Sequence, residues 1–503
     1  MKKKISAFLA SMLLLGSIGG AAMAEGMTPG TYEAAAQGFH GDVKLSVTVD
    51  AEKITAIDIL EHSETEGIGA AALPKLVEAV LVNQTIGVDS VAGATVTSEA
   101  FKAAMTDALT QAGADMDKMM AAVAASELED VQMDADVVVV GAGAAGLSAA
   151  LKTAQNGHSV ILLEKMGVIG GASAMAGSGT MATGSKWQKE DGYEDSAEKL
   201  VEDMMANGHQ KNDRATVELF ANTIGEAFDW LVGEDGAAVP YQRSGKLSRS
   251  YSGEGRGAGV CKNLAERLEA AGGTLLTNTP ATELVVENGA VVGVKGTMAD
   301  GSTVTVNAKG VILATGGFHA NKALVTQFMG GEVAWMPIRG SMTLTGENIL
   351  LTAPFFPMYV NMDQFHAGPI HGPTKANPSQ MVNFGICVNT LGNRYVDEAS
   401  TYVEIARHTA KDTIRNSAFI ILDSAVAMRI DRYKAAKAPI FEANSIGELA
   451  SKIGVPAKAL EKTVSEYNDA VHAGRGASLK VPATMKKPYT IEKGPFLAVP
   501  FSG

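Results

Sequence analysis

Along the first hundred residues the spacing of apolar positions changes period. Val43, Leu45, Val47 and Val49 alternate with polar residues and so share one face of a strand, and Ile54, Ile57 and Ile59 follow after a short polar turn. After HSETEGIGA the apolar residues recur at helical spacing instead, first Leu73, Leu76, Val77 and Val80, then Phe101, Met105 and Leu109 in a helix from about Ser98. This predicts a small α+β domain over residues 25–113. Residues 114–133 are rich in Ala, Met, Asp and Glu and read as a linker helix. From Asp134 short β-branched runs (137–140, 160–163, 311–314) alternate with helical stretches, the pattern of a parallel α/β sheet, over residues 134–364. Residues 365–487 hold several prolines, few long apolar runs and a predicted helix over 456–471, and form a separate α+β cap inserted into that domain.

The opening MKKKISAFLASMLLLGSIGGAAMA combines three lysines, an apolar run too short to span a bilayer and a small-residue cleavage site at Ala22-Met23-Ala24. Residues 1–24 therefore read as a secretory leader, and the protein is expected in the periplasm or outside the cell. No cysteine follows the run to carry a lipid, and no later segment has the length of a membrane-spanning helix. Loss of the three leader lysines moves the net charge from −13 to −16, which disfavours nucleic acid and anionic membranes as partners. Cys261 and Cys387, the two cysteines, offer neither a disulfide framework nor zinc spacing; two buried free thiols, no metal, and redox chemistry on organic cofactors are expected.

DADVVVVGAGAAGLSAALKTAQNGHSVILLEK carries a strand, Gly141-x-Gly143-x-x-Gly146, a helix and a second strand ending in Glu164. The glycines allow a tight turn, approach of a pyrophosphate to the backbone and close helix packing, while the helix N-terminus faces the phosphates. Glu164 can accept both ribose hydroxyls of an adenosine and would repel a 2′-phosphate, which points to FAD or NAD. The glycine-rich stretch KMGVIGGASAMAGSG (165–179) lets backbone run against a flat ring system and favours FAD.

Together with VILATGGF (311–318), these segments resemble the flavin domain of the fumarate reductase and succinate dehydrogenase flavoproteins, in the branch of soluble fumarate and urocanate reductases. The resemblance spans residues 134–503. It implies a Rossmann-like FAD-binding domain holding FAD non-covalently, with contacts at Gly141, Gly143, Ala145, Gly146, Glu164, Lys165, Gly171, Ala172, Ser173, Ser178, Gly179, Ala281, Thr315 and Gly316. It also implies a contact at Glu347, in a TGEN segment similar to the family's T-G-D-G, from which Asn348 departs. In the family a histidine- and glycine-rich segment returns to the FAD domain, and residues 488–503 are expected to begin that return.

The first domain resembles the FMN-binding domain of bacterial electron-carrying flavoproteins. There a flavin transferase joins FMN phosphate to a threonine in D-x-x-(S/T)-G-A-T. DSVAGAT (89–95) matches except at Ala92, so the resemblance implies covalent FMN on Thr95. HSETEGIGA resembles another segment of that domain. Thr97 or Ser98 is expected to cap the helix that follows.

Two flavins in an exported chain imply that an external membrane or extracellular redox protein reduces FMN, FMN reduces FAD, and FAD passes hydride to an activated C=C bond of a small molecule. QFHAG places His366 where the family has a substrate histidine. GNRYVDEASTY (392–402) follows the family's G-x-R-(F/Y)-x-(N/D)-E-x-x-x-R until its last residue, where Tyr402 replaces the acid-donating arginine; a phenol can donate in its place. The alternatives are an FMN electron carrier with a non-catalytic FAD domain and a ring-ketone desaturase like the ketosteroid dehydrogenases.

Overall fold

The computed structural model describes residues 26–66, 68–122, 129–177, 179–233, 241–243, 249–425 and 431–503. The leader and Ser178 lie outside the described residues. The chain divides into two compact units, one of residues 1–317 and 346–357, the other of residues 318–345 and 358–503. Residues 318–345 and 358–364, grouped in the sequence with the nucleotide-binding domain, thus cluster with the second unit.

The first unit begins with an antiparallel sheet of β1 (Gly30–Gln37), β2 (Asp42–Val49) and β3 (Ile54–Glu61) in the order β1-β2-β3. Val43, Leu45 and Val47 on β2 are fully buried, and helices α1 (Gly69–Asn83) and α2 (Thr95–Gln111) cover them with Leu73, Leu76, Phe101 and Met105. Ile54 and Ile57 both enter this core although three residues apart, because the β2–β3 register shifts between Thr48 and Val49. The core extends past Gly113: Met119 is 2% exposed within it, and Thr85 donates its hydroxyl to the Met119 and Ala121 carbonyls. Part of the stretch read as a linker therefore packs as domain core.

The helix beginning just before Ser98 corrects the expected cap. α2 starts at Thr95, Ala94 occupies the cap position, and no side chain caps the helix. Thr97 and Ser98 lie inside the first turn with other bonds: Ser98 donates to the Ala94 carbonyl (2.9 Å) and accepts the Val91 N–H (3.0 Å), and the Thr97 hydroxyl donates to Glu64 Oε2.

The large sheet of the first unit has the order β10-β11-β12-β4-β5-β9. Its parallel part joins β12 (Thr303–Leu313), β4 (Val131–Val140), β5 (Val160–Leu163) and β9 (Thr274–Leu276); β10 (Ala281–Glu287) and β11 (Ala290–Thr297) extend it as an antiparallel edge. The second half of β4, Val137–Val140, and all of β5 run as unbroken apolar stretches because both faces are covered there, Val139 and Leu162 facing one core and Val138, Ile161 and Leu163 the other. Between β4 and β5 runs α3 (Ala144–Gln155). The strands β6 (Thr180–Met181), β7 (Tyr241–Arg243) and β8 (Ser250–Gly253) form a small antiparallel sheet. Cys261, in this unit, and Cys387, in the other, are buried and unpaired.

The second unit is built on an antiparallel sheet of β13 (Gly385–Asn389), β14 (Ala418–Leu422), β15 (Phe441–Ala443) and β16 (Phe496–Phe501), in the order β13-β14-β16-β15. Side chains alternate between two cores, Cys387, Ile420, Leu422, Leu497 and Val499 on one face and Ile386, Val388, Ile421 and Ala498 on the other. Residues 488–503, expected to begin a return to the FAD domain, instead supply β16: FLAVPF is apolar at nearly every position because it fills a slot between two strands with both faces covered. Among the described residues, no helix is long and apolar enough to cross a membrane.

Candidate flavin and substrate sites

At the turn from β4 into α3, Gly141 holds φ at +103°, and a Cβ there would lie 2.6 Å from the Ala314 carbonyl oxygen. A Cβ on Gly146 would collide with the Gly141 carbonyl, so the third glycine is required for the helix to meet the turn. Gly143 pairs with Gly170, and Ser173 accepts the Ala144 N–H at 3.2 Å, which brings Gly171, Ala172 and Ser173 beside the start of α3, with Ala145 exposed there. Glu164 directly follows β5 with 7% of its surface exposed and accepts the N–H groups of Ala142 (2.7 Å) and Met166 (2.8 Å). Burial raises its carboxyl above the usual value, and those two N–H groups oppose the shift.

Lys165 donates to Glu347 at 2.5 Å, and the Asn348 N–H donates to the Thr315 hydroxyl at 3.1 Å. Helix Glu347–Thr352 packs against β10, the strand that Ala281 opens. Gly316 stands in the left-handed region at φ +77°. Gly179 lies by β8, where a Cβ would meet the Tyr251 backbone. Gly141, Gly143, Ala145, Gly146, Gly171, Ala172 and Ser173 thus gather at the N-terminus of α3, with Glu164 bonded to Ala142 and Thr315 close to Gly141 at the same turn, while Lys165 and Glu347 bond each other, Ala281 lies on the edge strand β10 and Gly179 by the small sheet. Asn348 adds an observation that its motif did not offer: its Oδ1 is buried with no partner among the described residues. A glycine cradle, a buried strand-end carboxylate and an unsatisfied buried acceptor fit the dinucleotide end of FAD.

Thr95 stands exposed at the first position of α2, whereas Thr97 is 2% exposed and bonded to Glu64, so the two threonines of the motif differ in access. The motif itself lies against the FAD-binding fold. The Gly167 N–H donates to the Ala92 carbonyl at 3.2 Å, Lys75 donates to the Gly167 carbonyl, and Val168 is buried in the core beneath α1 and α2. Burial also lowers the Lys75 ammonium below its usual value. Gly93 holds φ at +88°, a left-handed conformation that favours glycine, and the Met166 side chain packs beside it. Beside the seam is a cavity of about 610 Å³ lined in part by Lys75, Asn83, Asp89, Ser90, Asn278 and Asp300.

In the second unit His366 Nε2 and the Tyr402 hydroxyl are 2.6 Å apart. Tyr402 opens helix Tyr402–Asp412, capped by Thr401, whose hydroxyl accepts the Glu404 N–H. Arg407, one turn on, donates to the Phe365 carbonyl through Nε (3.1 Å) and Nη2 (2.6 Å) and so fixes the backbone before His366. Gly368 admits the fourth member: a Cβ there would lie 2.9 Å from Arg339 Nη1 and 3.0 Å from the Tyr402 ring. Arg339 is exposed and forms no ion pair among the described residues. Although His366 is exposed overall, desolvation of its ring and the charges of Arg339 and Arg407 push the imidazole below its usual value. Arg339 and Arg407 were not foreseen from the sequence. Arg339 sits in an irregular loop, where periodicity carries no signal.

Residues 136–502 match the family model described as an FAD binding domain, and residues 38–110 match that of the FMN-binding domain. The chain belongs to the FAD-binding flavoprotein family that contains the soluble fumarate and urocanate reductases, a class of oxidoreductases acting on C=C bonds, and it carries both flavin-binding domains. It is 32% identical over 487 residues to a urocanate reductase of Eggerthella lenta, covering 92% of this chain and 79% of the relative. An NADH:acrylate oxidoreductase of Vibrio harveyi is 29% identical over 94% of this chain, which spans only 54% of that relative's length. Among solved structures, the open conformation of a flavocytochrome c3 fumarate reductase superposes with a TM-score of 0.59 at 26% identity, covering 74% of this chain and 67% of the other.

Proposed function

We propose that this chain is an exported reductase of an α,β-unsaturated carboxylate, in which an external redox protein reduces FMN carried covalently on Thr95 and the electrons pass to non-covalent FAD. The observation that carries the reading is the His366–Tyr402 hydrogen bond, with Arg407 fixing the Phe365 backbone before His366 and Arg339 beside Tyr402 at Gly368. The names of the urocanate and acrylate relatives support the substrate class.

FAD, when bound, supplies a hydride to one alkene carbon. The exposed Arg339 attracts the substrate carboxylate. Tyr402 gives its hydroxyl proton to the other carbon, so hydride and proton together complete a two-electron reduction. His366, kept neutral by its lowered pKa, donates Nε2–H to the Tyr402 oxygen and stabilises the phenolate as it forms. On the FMN side, exposed Thr95 would hold the flavin phosphate, and the N–H groups that open α2, which has no side-chain cap, would favour its charge.

The test is to purify the exported protein made together with a flavin transferase, denature it, and separate retained from released flavin. The reading expects FMN retained, FAD released, reduction of an enoate panel with a dye donor, and an N-terminus at Glu25. Retained FMN with no FAD and no enoate turnover would overturn it in favour of an electron carrier. Covalent flavin persisting in Thr95→Ala would overturn the attachment residue.

A further inference from the structure

Glu64 lies in HSETEGIGA, a segment to which the reading above gives no task. Its side chain is buried, 7% exposed, in the loop between β3 and α1. Oε1 accepts the N–H groups of Phe39 (2.7 Å) and His40 (3.3 Å) at the tip of the β1–β2 hairpin, and Oε2 accepts the Thr97 hydroxyl in the first turn of α2. Two glycines make room for the carboxylate. A Cβ on Gly38 would collide with Oε1, and one on Gly69 would lie 2.7 Å from Oε2 and 2.5 Å from the Thr97 hydroxyl oxygen. The hairpin tip and the first turn of α2 therefore converge on one carboxylate from a third segment, which meets α2 at Thr97, two residues from Thr95. Because α2 has no side-chain cap, the Glu64–Thr97 bond is the side-chain tie that holds its opening turn to the hairpin.

We propose that Glu64 is a positioning residue for flavin attachment: through Thr97 it fixes the first turn of α2, so that the Thr95 hydroxyl is presented in one orientation to the flavin transferase. This rests on the reading of Thr95 as the acceptor. The reaction served forms a bond from Thr95 Oγ1 to the FMN phosphorus of an FAD donor and breaks that phosphorus's bond to the bridging oxygen. AMP leaves, the hydroxyl proton passes to a base of the transferase, and no electrons change hands. Holding Thr97 also ties up the neighbouring hydroxyl, which explains how two threonines in one turn are kept distinct.

The experiment uses the full chain purified without attached flavin, a purified flavin transferase, and FAD as the probe. Covalent flavin is read by fluorescence after denaturation, and its site from the tryptic peptide of residues 76–102. A hydrogen bond to a carboxylate contributes about 1.5–3 kcal/mol, so Thr97→Val and Glu64→Ala are each expected to lower the maximal transfer rate by roughly ten- to a hundredfold. The KM for the chain should stay within about threefold, since the docking surface is intact. Glu64→Gln, which accepts from the hairpin and donates to Thr97, should restore the rate to within about threefold, a rescue that loss of charge alone would not allow.

Wild-type transfer rates in Thr97→Val would overturn the proposal, and that variant stands as the test even where Glu64→Ala fails to fold. Glu64→Gln as slow as Glu64→Ala would also overturn it. Flavin retained in Thr95→Ala would instead refute the acceptor assignment, a separate result.

Discussion

Removing Arg394 should damage the second unit more than removing Arg394 and Glu398 together. Their ion pair is buried, with side chains 6% and 4% exposed, and lies in GNRYVDEASTY just ahead of Tyr402. Arg394 bonds both Glu398 oxygens, donates to the carbonyls of Val481 (2.7 Å) and Pro482 (2.9 Å), and stacks over Tyr467 at 5.1 Å. Glu398 in turn accepts the Cys387 N–H at 2.8 Å on β13. Burial pushes the Glu398 carboxyl above its usual value even with Arg394 and that N–H opposing it. The carboxylate therefore depends on the guanidinium for its tolerance in the core.

Arg394→Met strands that carboxylate, costing about 3–5 kcal/mol, and leaves two carbonyls without their donor, about 1 kcal/mol each. Adding Glu398→Gln removes the charge while keeping an acceptor for the Cys387 N–H, so the double variant should lose only about 2 kcal/mol from the carbonyls. The assay is native-state amide exchange of β13, β14 and β16. Protection should fall by more than about a hundredfold in Arg394→Met and return most of the way in the double variant. The pH dependence has a defined sign. A carboxyl with a raised folded pKa favours the fold while protonated and loses that contribution as pH rises through the folded value, so Arg394→Met should be nearer wild type at acid than at alkaline pH. Equal or greater damage in the double variant would refute the argument, as would a defect that grew on acidification.

Gly146→Ala should release FAD, raising its dissociation constant by at least about tenfold, while FMN on the first domain is unaffected, because the added carbon meets the Gly141 carbonyl; equilibrium dialysis followed by separation of the two flavins measures each. Tyr402→Phe should lower kcat by roughly a hundred- to ten-thousandfold with little change in KM, measured with a dye donor and an enoate. The pH titration of the His366 ring, followed by NMR, should have its limb below the usual histidine value, since desolvation and the charges of Arg339 and Arg407 oppose protonation. In Arg339→Gln that limb should move to higher pH as an opposing charge is removed, and KM for carboxylate substrates should rise. A wild-type limb in that variant would show that Arg339 does not act on His366.

What could be read from the sequence was local, or encoded by a turn that admits one backbone path. The alternating β2 residues, the helical spacing of Phe101 and Met105, and the Gly141 turn into α3 each follow from short-range geometry that side chains report directly. Cap chemistry shows where this ends. Ser and Thr near a helix start have the composition of caps, yet Thr97 and Ser98 sit inside the first turn, because a carboxylate 33 positions away claims one hydroxyl and the helix begins earlier. Likewise Arg339 reaches the His366–Tyr402 pair from a loop with no period, and FLAVPF carries no label saying which sheet will take it. These features share a cause: each is defined by a partner distant in sequence and brought near by the core, so its signal lies in the pairing and not in either residue. The Glu64 carboxylate is the sharpest instance, since the glycines that accommodate it, Gly38 and Gly69, look in sequence like an ordinary hairpin turn and an ordinary helix start.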